Sequence, residues 1–237
     1  MNQSPIGSTS VDDHPPLRAV VFDAVGTVLH PQPDVVTAYH EIGRQHGSSL
    51  SRDEVGRRFR EAFTSRAETE LETSDAIEYE FWRYVVGKVF RDVVDPEACF
   101  RQLHEHFAQP TSWRFDSETE RVLTALGLRG VVRCIASNFD ARLDGILDAS
   151  PVGPLFDHRV ISSKIGYRKP HRRFYEIVLE TCGTTAAETL FIGDEPAADR
   201  EGPAQLGCRA LLLDPGCSGE ENCVTQLRDV LCFLEAN

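Results

Sequence analysis

After Trp113, short apolar runs of strand length take turns with stretches of helical spacing. The runs are VVRCIAS (Val131–Ser137), HRVIS (His158–Ser162), ETLFIGD (Glu188–Asp194) and CRALLLD (Cys208–Asp214). Around them, helical spacing runs over Ser117–Leu128, Asp140–Leu147, Arg172–Cys182, Pro196–Leu206 and Val224–Leu234. Asp116 or Ser117 is suited to cap the first of these helices, and Gly207 to end the fourth. Parallel strands need long crossovers, and helices supply them while covering both faces of the sheet. An earlier run, LRAVVFD (Leu17–Asp23), has the same texture and ends in an aspartate. The expected fold class is α/β: a Rossmann-like, doubly wound parallel sheet.

Between Asp34 and Phe107 the texture changes. Apolar residues recur at helical spacing, as in Val35, Val36, Tyr39 and Ile42, then Val55, Phe59 and Phe63, then Ile77, Phe81, Tyr84, Val85 and Phe90. Breaks near Gly47–Ser51, Thr73–Asp75 and Asp95–Pro96 divide the stretch into about four helices, with Phe81, Trp82 and Tyr84 expected in their core. The expected organisation is a loose, Pro/Ser-rich tail over residues 1–16, an α/β core over 17–31 and 112–237, and a helical insertion over 32–111.

Charge and composition narrow the function classes. The net charge of -12 disfavours a nucleic-acid partner, because a uniformly acidic surface repels a phosphate backbone. No apolar run is long enough to span a membrane, and the N-terminus lacks the basic and apolar regions of a secretory signal, so a cytoplasmic protein is expected. The seven cysteines form no CxxC pair and several adjoin apolar runs; reduced, mostly buried thiols are expected. Only Lys88, Lys164 and Lys169 are lysines among 25 basic residues, so any reaction that needs one has three candidates.

Ligands of open parallel sheets sit at the carboxyl ends of the strands. Here those ends carry Asp23 with Gly26 and Thr27, Ser137 with Asn138, and Asp194 with Asp199; Lys169 lies in a loop after the third strand. Carboxylates hold hard cations, an aspartate can act as nucleophile, and lysine and hydroxyl donors neutralise phosphoryl oxygens. Magnesium-assisted phosphoryl transfer needs this set.

At these residues the chain resembles the haloacid dehalogenase superfamily. AVVFDAVGTVL (Ala19–Leu29), CIASNFD (Cys134–Asp140), KIGYRKPHRRFY (Lys164–Tyr175) and LFIGDEPAADREGPAQLG (Leu190–Gly207) are similar to its four motifs, in order. ASNFDARLDGIL and GDEPAADREGP look closest to the subgroup called haloacid dehalogenase-like hydrolase domain-containing protein 3. The resemblance implies that the helical insertion is a four-helix cap of the C1 type. It also implies Asp23 as nucleophile and magnesium ligand, and Thr27, Ser137, Asn138 and Lys169 on the phosphoryl group. Asp194, the Val25 backbone carbonyl and Asp199 would complete the Mg2+ site.

One position departs from the pattern. Val25 stands where phosphatases of the superfamily carry a second aspartate as general acid and base. A valine cannot protonate a leaving alkoxide, and a missing positioned acid costs typically ~10²–10⁴-fold. The resemblance thus implies a Mg2+-dependent phosphatase of a small phosphorylated metabolite, weak on alkyl phosphates and better on aryl or acyl phosphates. Two alternatives are a weak or inactive phosphate-binding protein, favoured by Val25, and a 2-haloacid dehalogenase, disfavoured by Asp194. His171 stands where the family often has aspartate, and Arg168, Arg172 and Arg173 are expected to be solvated. Physiological substrate and oligomeric state are not legible.

Overall fold

The computed structural model describes residues 15–66, 70–217 and 220–234. The tail expected over residues 1–16 lies, as far as residue 14, outside the described residues. Six strands form one parallel sheet: β1 (Ala19–Phe22), β4 (Val132–Ser137), β5 (His158–Ile161), β6 (Thr189–Gly193), β7 (Arg209–Leu213) and β8 (Cys223–Val224). Their spatial order is β5-β4-β1-β6-β7-β8, with β1 in register between β4 (Phe22 beside Ile135) and β6 (Phe22 beside Ile192). All four residues of β1 are buried, as expected for a strand covered on both faces.

The pleat divides those residues between two cores. Val20 and Phe22 join Ile135, Leu190, Ile192 and Leu211 under α5 (Thr119–Leu128), α6 (Arg142–Asp148) and the C-terminal 3-10 helix Leu227–Leu234. Ala19 and Val21 join Cys134, Ala136, Val160, Phe191 and Ala210 against α8 (Arg172–Cys182). Successive residues of a strand point to opposite faces, so a four-residue run feeds both cores.

The helical insertion forms α1 (Val35–Gln45), α2 (Arg52–Phe63), α3 (Asp75–Val89) and α4 (Pro96–His106). Each starts at a side-chain cap: Asp34 accepts from Val36 and Thr37, Ser51 from Glu54, Ser74 from Ile77 and Asp95 from Ala98. The caps fall at the breaks in the sequence pattern. Tyr39, Val55, Val85, Val89, Phe90, Phe100 and Leu103 form a core of their own, with Phe81 and Trp82 packed on it. Tyr84 is instead exposed, a correction to its expected burial.

Other elements differ from the sequence reading. A two-stranded antiparallel ribbon, β2 (Leu29–Pro31) with β3 (Trp113–Phe115), carries the chain into and out of the helices. Three-residue strands are too short to show an alternation. The helix expected over Pro196–Leu206 is a π-helical turn, Pro196–Glu201, followed by one short turn, Gly202–Ala204. The last expected helix begins three residues later, because Cys223 and Val224 pair with β7. Cys217 and Cys223 form a disulfide, against the expectation of reduced thiols throughout; Cys99, Cys134, Cys182 and Cys208 are free and buried, and Cys232 is free and exposed. Among the described residues no helix is long and apolar enough to cross a membrane.

Candidate active site

The site forms at the carboxyl ends of β1, β4 and β6, the three central strands. Asp23 follows β1 directly, and its backbone N–H donates to the Ile192 carbonyl of β6 at 2.9 Å. The chain then turns on the Ala24 carbonyl, which accepts from Val28 at 3.0 Å and Leu29 at 2.8 Å. Gly26 has φ +94° within this turn, and a side chain there would run into the Asp194 carboxylate. Only glycine satisfies both demands, and the turn thereby lies directly against the end of β6.

Lys169 supplies the central charge. It is 3% exposed, and its Nζ donates to Asp23 Oδ1 at 2.7 Å and to Asp199 Oδ1 at 2.6 Å. Burial alone would push the ammonium down; the Asp199 and Asp23 carboxylates more than offset that and hold its pKa above the ordinary value. Asn138 sets the lysine's backbone. Its side-chain amide donates to the Lys169 carbonyl at 3.0 Å and accepts from the Lys169 N–H at 2.7 Å. Both ends of that side chain thus serve to hold the Lys169 backbone.

Asp199 rides on the π-helical turn. Its Oδ2 accepts from the Glu195 N–H at 3.1 Å, and its own N–H donates to the Glu195 carbonyl at 2.8 Å. Gly193 leaves the space that the Asp199 carboxylate fills, since a Cβ there would overlap it. The fully buried Tyr175 donates its hydroxyl to the Ala198 carbonyl at 2.6 Å, one residue before Asp199. Sequence reading missed Tyr175, which looks like an ordinary core aromatic; π-turns often occur at functional sites but leave no clear pattern in one sequence.

The carboxylates of Asp23, Asp194 and Asp199 each place an oxygen within 4.8 Å of the others. Burial raises the pKa of Asp23 to about 7, opposed by Lys169 and assisted by Asp199 and Asp194. Asp194 is open to solvent on its outer side, yet partial desolvation against the turn, with the charge of Asp199, raises it to about 6. Asp199 Oδ1 accepts from Lys169 and its Oδ2 from the Glu195 N–H, and Asp23 Oδ1 accepts from the same lysine; each of these oxygens keeps a second lone pair that a cation could use. Crowded, proton-seeking carboxylates around one point suit a divalent ion, which would replace the protons.

Thr27 and Ser137 complete the arrangement. Thr27 is 1% exposed and its Oγ1 has no hydrogen-bond partner among the described residues, an expensive state for a buried hydroxyl unless a ligand satisfies it. Ser137 ends β4 and is buried. Val25 is half-buried and packs its side chain on the core beneath the turn.

The profile of the haloacid dehalogenase-like hydrolases matches residues 17–207. The chain belongs to this family. Haloacid dehalogenase-like hydrolase domain-containing protein 3 of Danio rerio is 28% identical over 207 residues, covering 84% of this chain and 86% of its own. The phosphoserine phosphatase of Thermus thermophilus is 25% identical over 141 residues, 56% of each chain. In fold, the magnesium-bound HAD-hydrolase YfnB of Bacillus subtilis superposes with a TM-score of 0.76 at 17% identity, covering 93% of this chain and 100% of that one.

Proposed function

We propose that this hydrolase is a magnesium-dependent phosphatase of a small phosphorylated metabolite. The observation that carries the reading is the buried Lys169 ammonium held between Asp23 and Asp199, with a buried Thr27 hydroxyl on the turn after Asp23 that has no partner among the described residues. The phosphatase in the name of one relative supports the same reaction class. Asp23 attacks phosphorus, forming an aspartyl-phosphate and breaking the bond to the leaving oxygen. Water then attacks the same phosphorus and releases inorganic phosphate and free Asp23. Thr27, Ser137 and Lys169 neutralise the phosphoryl oxygens. Magnesium, held by Asp23, Asp194 and the Val25 carbonyl, would supply further positive charge there; Asp199 acts from beside it by holding Lys169. The four helices between β2 and β3 serve as the cap.

No acid stands at Val25, so leaving groups that depart without a proton should be favoured. The test is turnover of para-nitrophenyl phosphate with magnesium, with EDTA, and by Asp23→Asn. Activity that requires both the metal and Asp23 is expected. Phosphate binding without any turnover would overturn the enzymatic reading, and metal-free chloride release from 2-chloropropionate would replace it with dehalogenation.

A further inference from the structure

Three arginines flank the lysine motif, and the structure separates them. Arg172 is paired with Glu176, and Arg173 with Glu176 and Glu180, on the open face of α8. Arg168, next to Lys169, is half-buried, and among the described residues no side chain bonds its guanidinium; its Nε is buried with no partner. The backbone around it is fixed. Arg168 N–H donates to the Leu71 carbonyl at 2.9 Å, Thr73 N–H to the Gly166 carbonyl at 3.0 Å, and Tyr167 bridges Glu72. The Arg168 backbone is thus held where the α2–α3 connection meets the loop that delivers Lys169.

The charges around it do not neutralise it by contact. Arg66, from the cap side, is itself buried and committed to Glu78 at 2.9 Å, with its guanidinium over the Phe81 ring. Burial first, and then the Arg66 charge, work against the charge on Arg168; Glu78, Glu195 and Glu70 favour it from a distance without bonding it. Glu70 and Glu195 are exposed, and Glu195 directly follows Asp194. An arginine keeps its charge in proteins, so a half-buried guanidinium whose Nε is shielded from water without a partner gains from an arriving anion. Its planar fork matches a carboxylate or a phosphoryl group.

We propose that Arg168 binds a second anionic group on the substrate, a carboxylate or a further phosphoryl group, while Lys169 faces the phosphoryl group that is transferred. The proposal rests on the phosphatase reading. It narrows the substrate to phosphorylated compounds with two anionic ends.

The test measures binding rather than turnover, so that it stands apart from catalysis. Calorimetry on Asp23→Asn protein with magnesium compares 3-phosphoglycerate with glycerol 3-phosphate, which lacks the carboxylate. It also compares fructose 1,6-bisphosphate with fructose 6-phosphate. Charge-assisted hydrogen bonds support a loss of about tenfold or more for the doubly anionic member of one pair on adding Arg168→Gln, against less than about twofold for its partner. The pair that responds identifies the second group. Arg168→Lys should recover part of the discrimination, and Arg172→Gln should leave it intact. Equal losses within both pairs, no loss in either, or no binding by the Arg168 protein would overturn the proposal. Failure of wild-type protein to turn over para-nitrophenyl phosphate would instead count against the phosphatase reading.

Discussion

Replacing Lys169 with methionine keeps the length of the side chain and removes its charge. In the folded protein Asp23 and Asp199 then face each other with no cation between them, in a pocket where Lys169 was 3% exposed. Removing one partner of a buried ion pair costs about 3–5 kcal/mol, because the remaining charge is left without compensation. The carboxylates can recover part of this by taking up a proton, which gives the loss a pH signature. With Lys169 present, Asp23 titrates at about 7. Without it the folded pKa rises further, because the ammonium was lowering it. Between those two values the variant's folded state holds a proton that the wild-type folded state has lost. Variant stability then falls with rising pH while this group leaves the wild type unchanged. The penalty grows by up to ~1.4 kcal/mol per pH unit in that window. Below about pH 7 both folded states hold the proton and the penalty levels off. Urea denaturation in EDTA at pH 6.5, 7.5 and 8.5, wild type beside Lys169→Met, measures this directly. A penalty that is flat across that range, or largest at the acid end, would refute the charge-compensation argument. A penalty below about 1 kcal/mol would show that the ammonium's own desolvation cancels what the carboxylates gain.

Two further outcomes follow from the same pocket. The raised pKa values of Asp23 and Asp194 mean that the metal-free fold loses stability as pH rises from about 4 to about 7. Magnesium should therefore raise the melting temperature more at pH 8 than at pH 5.5, and Asp194→Asn should weaken its binding about tenfold or more by calorimetry; equal shifts at both pH values, or unchanged affinity, would reject this metal site. Val25→Asp should raise kcat for an alkyl phosphate more than for para-nitrophenyl phosphate, by less than the ~10²–10⁴ of an optimised acid, because the poorer leaving group gains most from a proton; an equal change for both substrates would remove the leaving-group argument.

The sheet was legible because its central strands are buried on both faces and read as uninterrupted apolar runs, LRAVVFD above all. The four inserted helices were legible because each begins at Asp or Ser, residues whose side chains cap a helix, just where the apolar period breaks. Elements shorter than a period escaped. The Leu29–Pro31 and Trp113–Phe115 ribbon and the Cys223–Val224 strand have two or three residues each, and their pairing is set by distant partners. The Cys217–Cys223 disulfide ties the loop after β7 to the first residue of β8, and the cysteine spacing gave no cue to it.

Within the candidate site, the sequence located the groups but could not assign their partners. Asp23, Thr27, Ser137, Lys169, Asp194 and Asp199 lie at strand ends and loops where parallel-sheet topology must gather them. What each one does depends on which of its atoms are already bonded. Asn138 holds the Lys169 backbone with both ends of its amide, a task its place in the motif does not announce. Asp199, a metal-site residue by the resemblance, also anchors the lysine: its two oxygens accept from Lys169 and from the Glu195 N–H. Of the buried side-chain atoms without a partner among the described residues, those of Thr27 and Arg168 are the two that lie within the site's motifs. Three arginines near the lysine were indistinguishable as letters, yet two have carboxylate partners and one does not. Burial makes an unmet donor costly, so the groups left without partners mark where a ligand has work to do. Here one is the Thr27 hydroxyl on the turn after Asp23, and the other is the Arg168 guanidinium, next to Lys169 in the chain and under the charges of Arg66 and Glu78 from the cap.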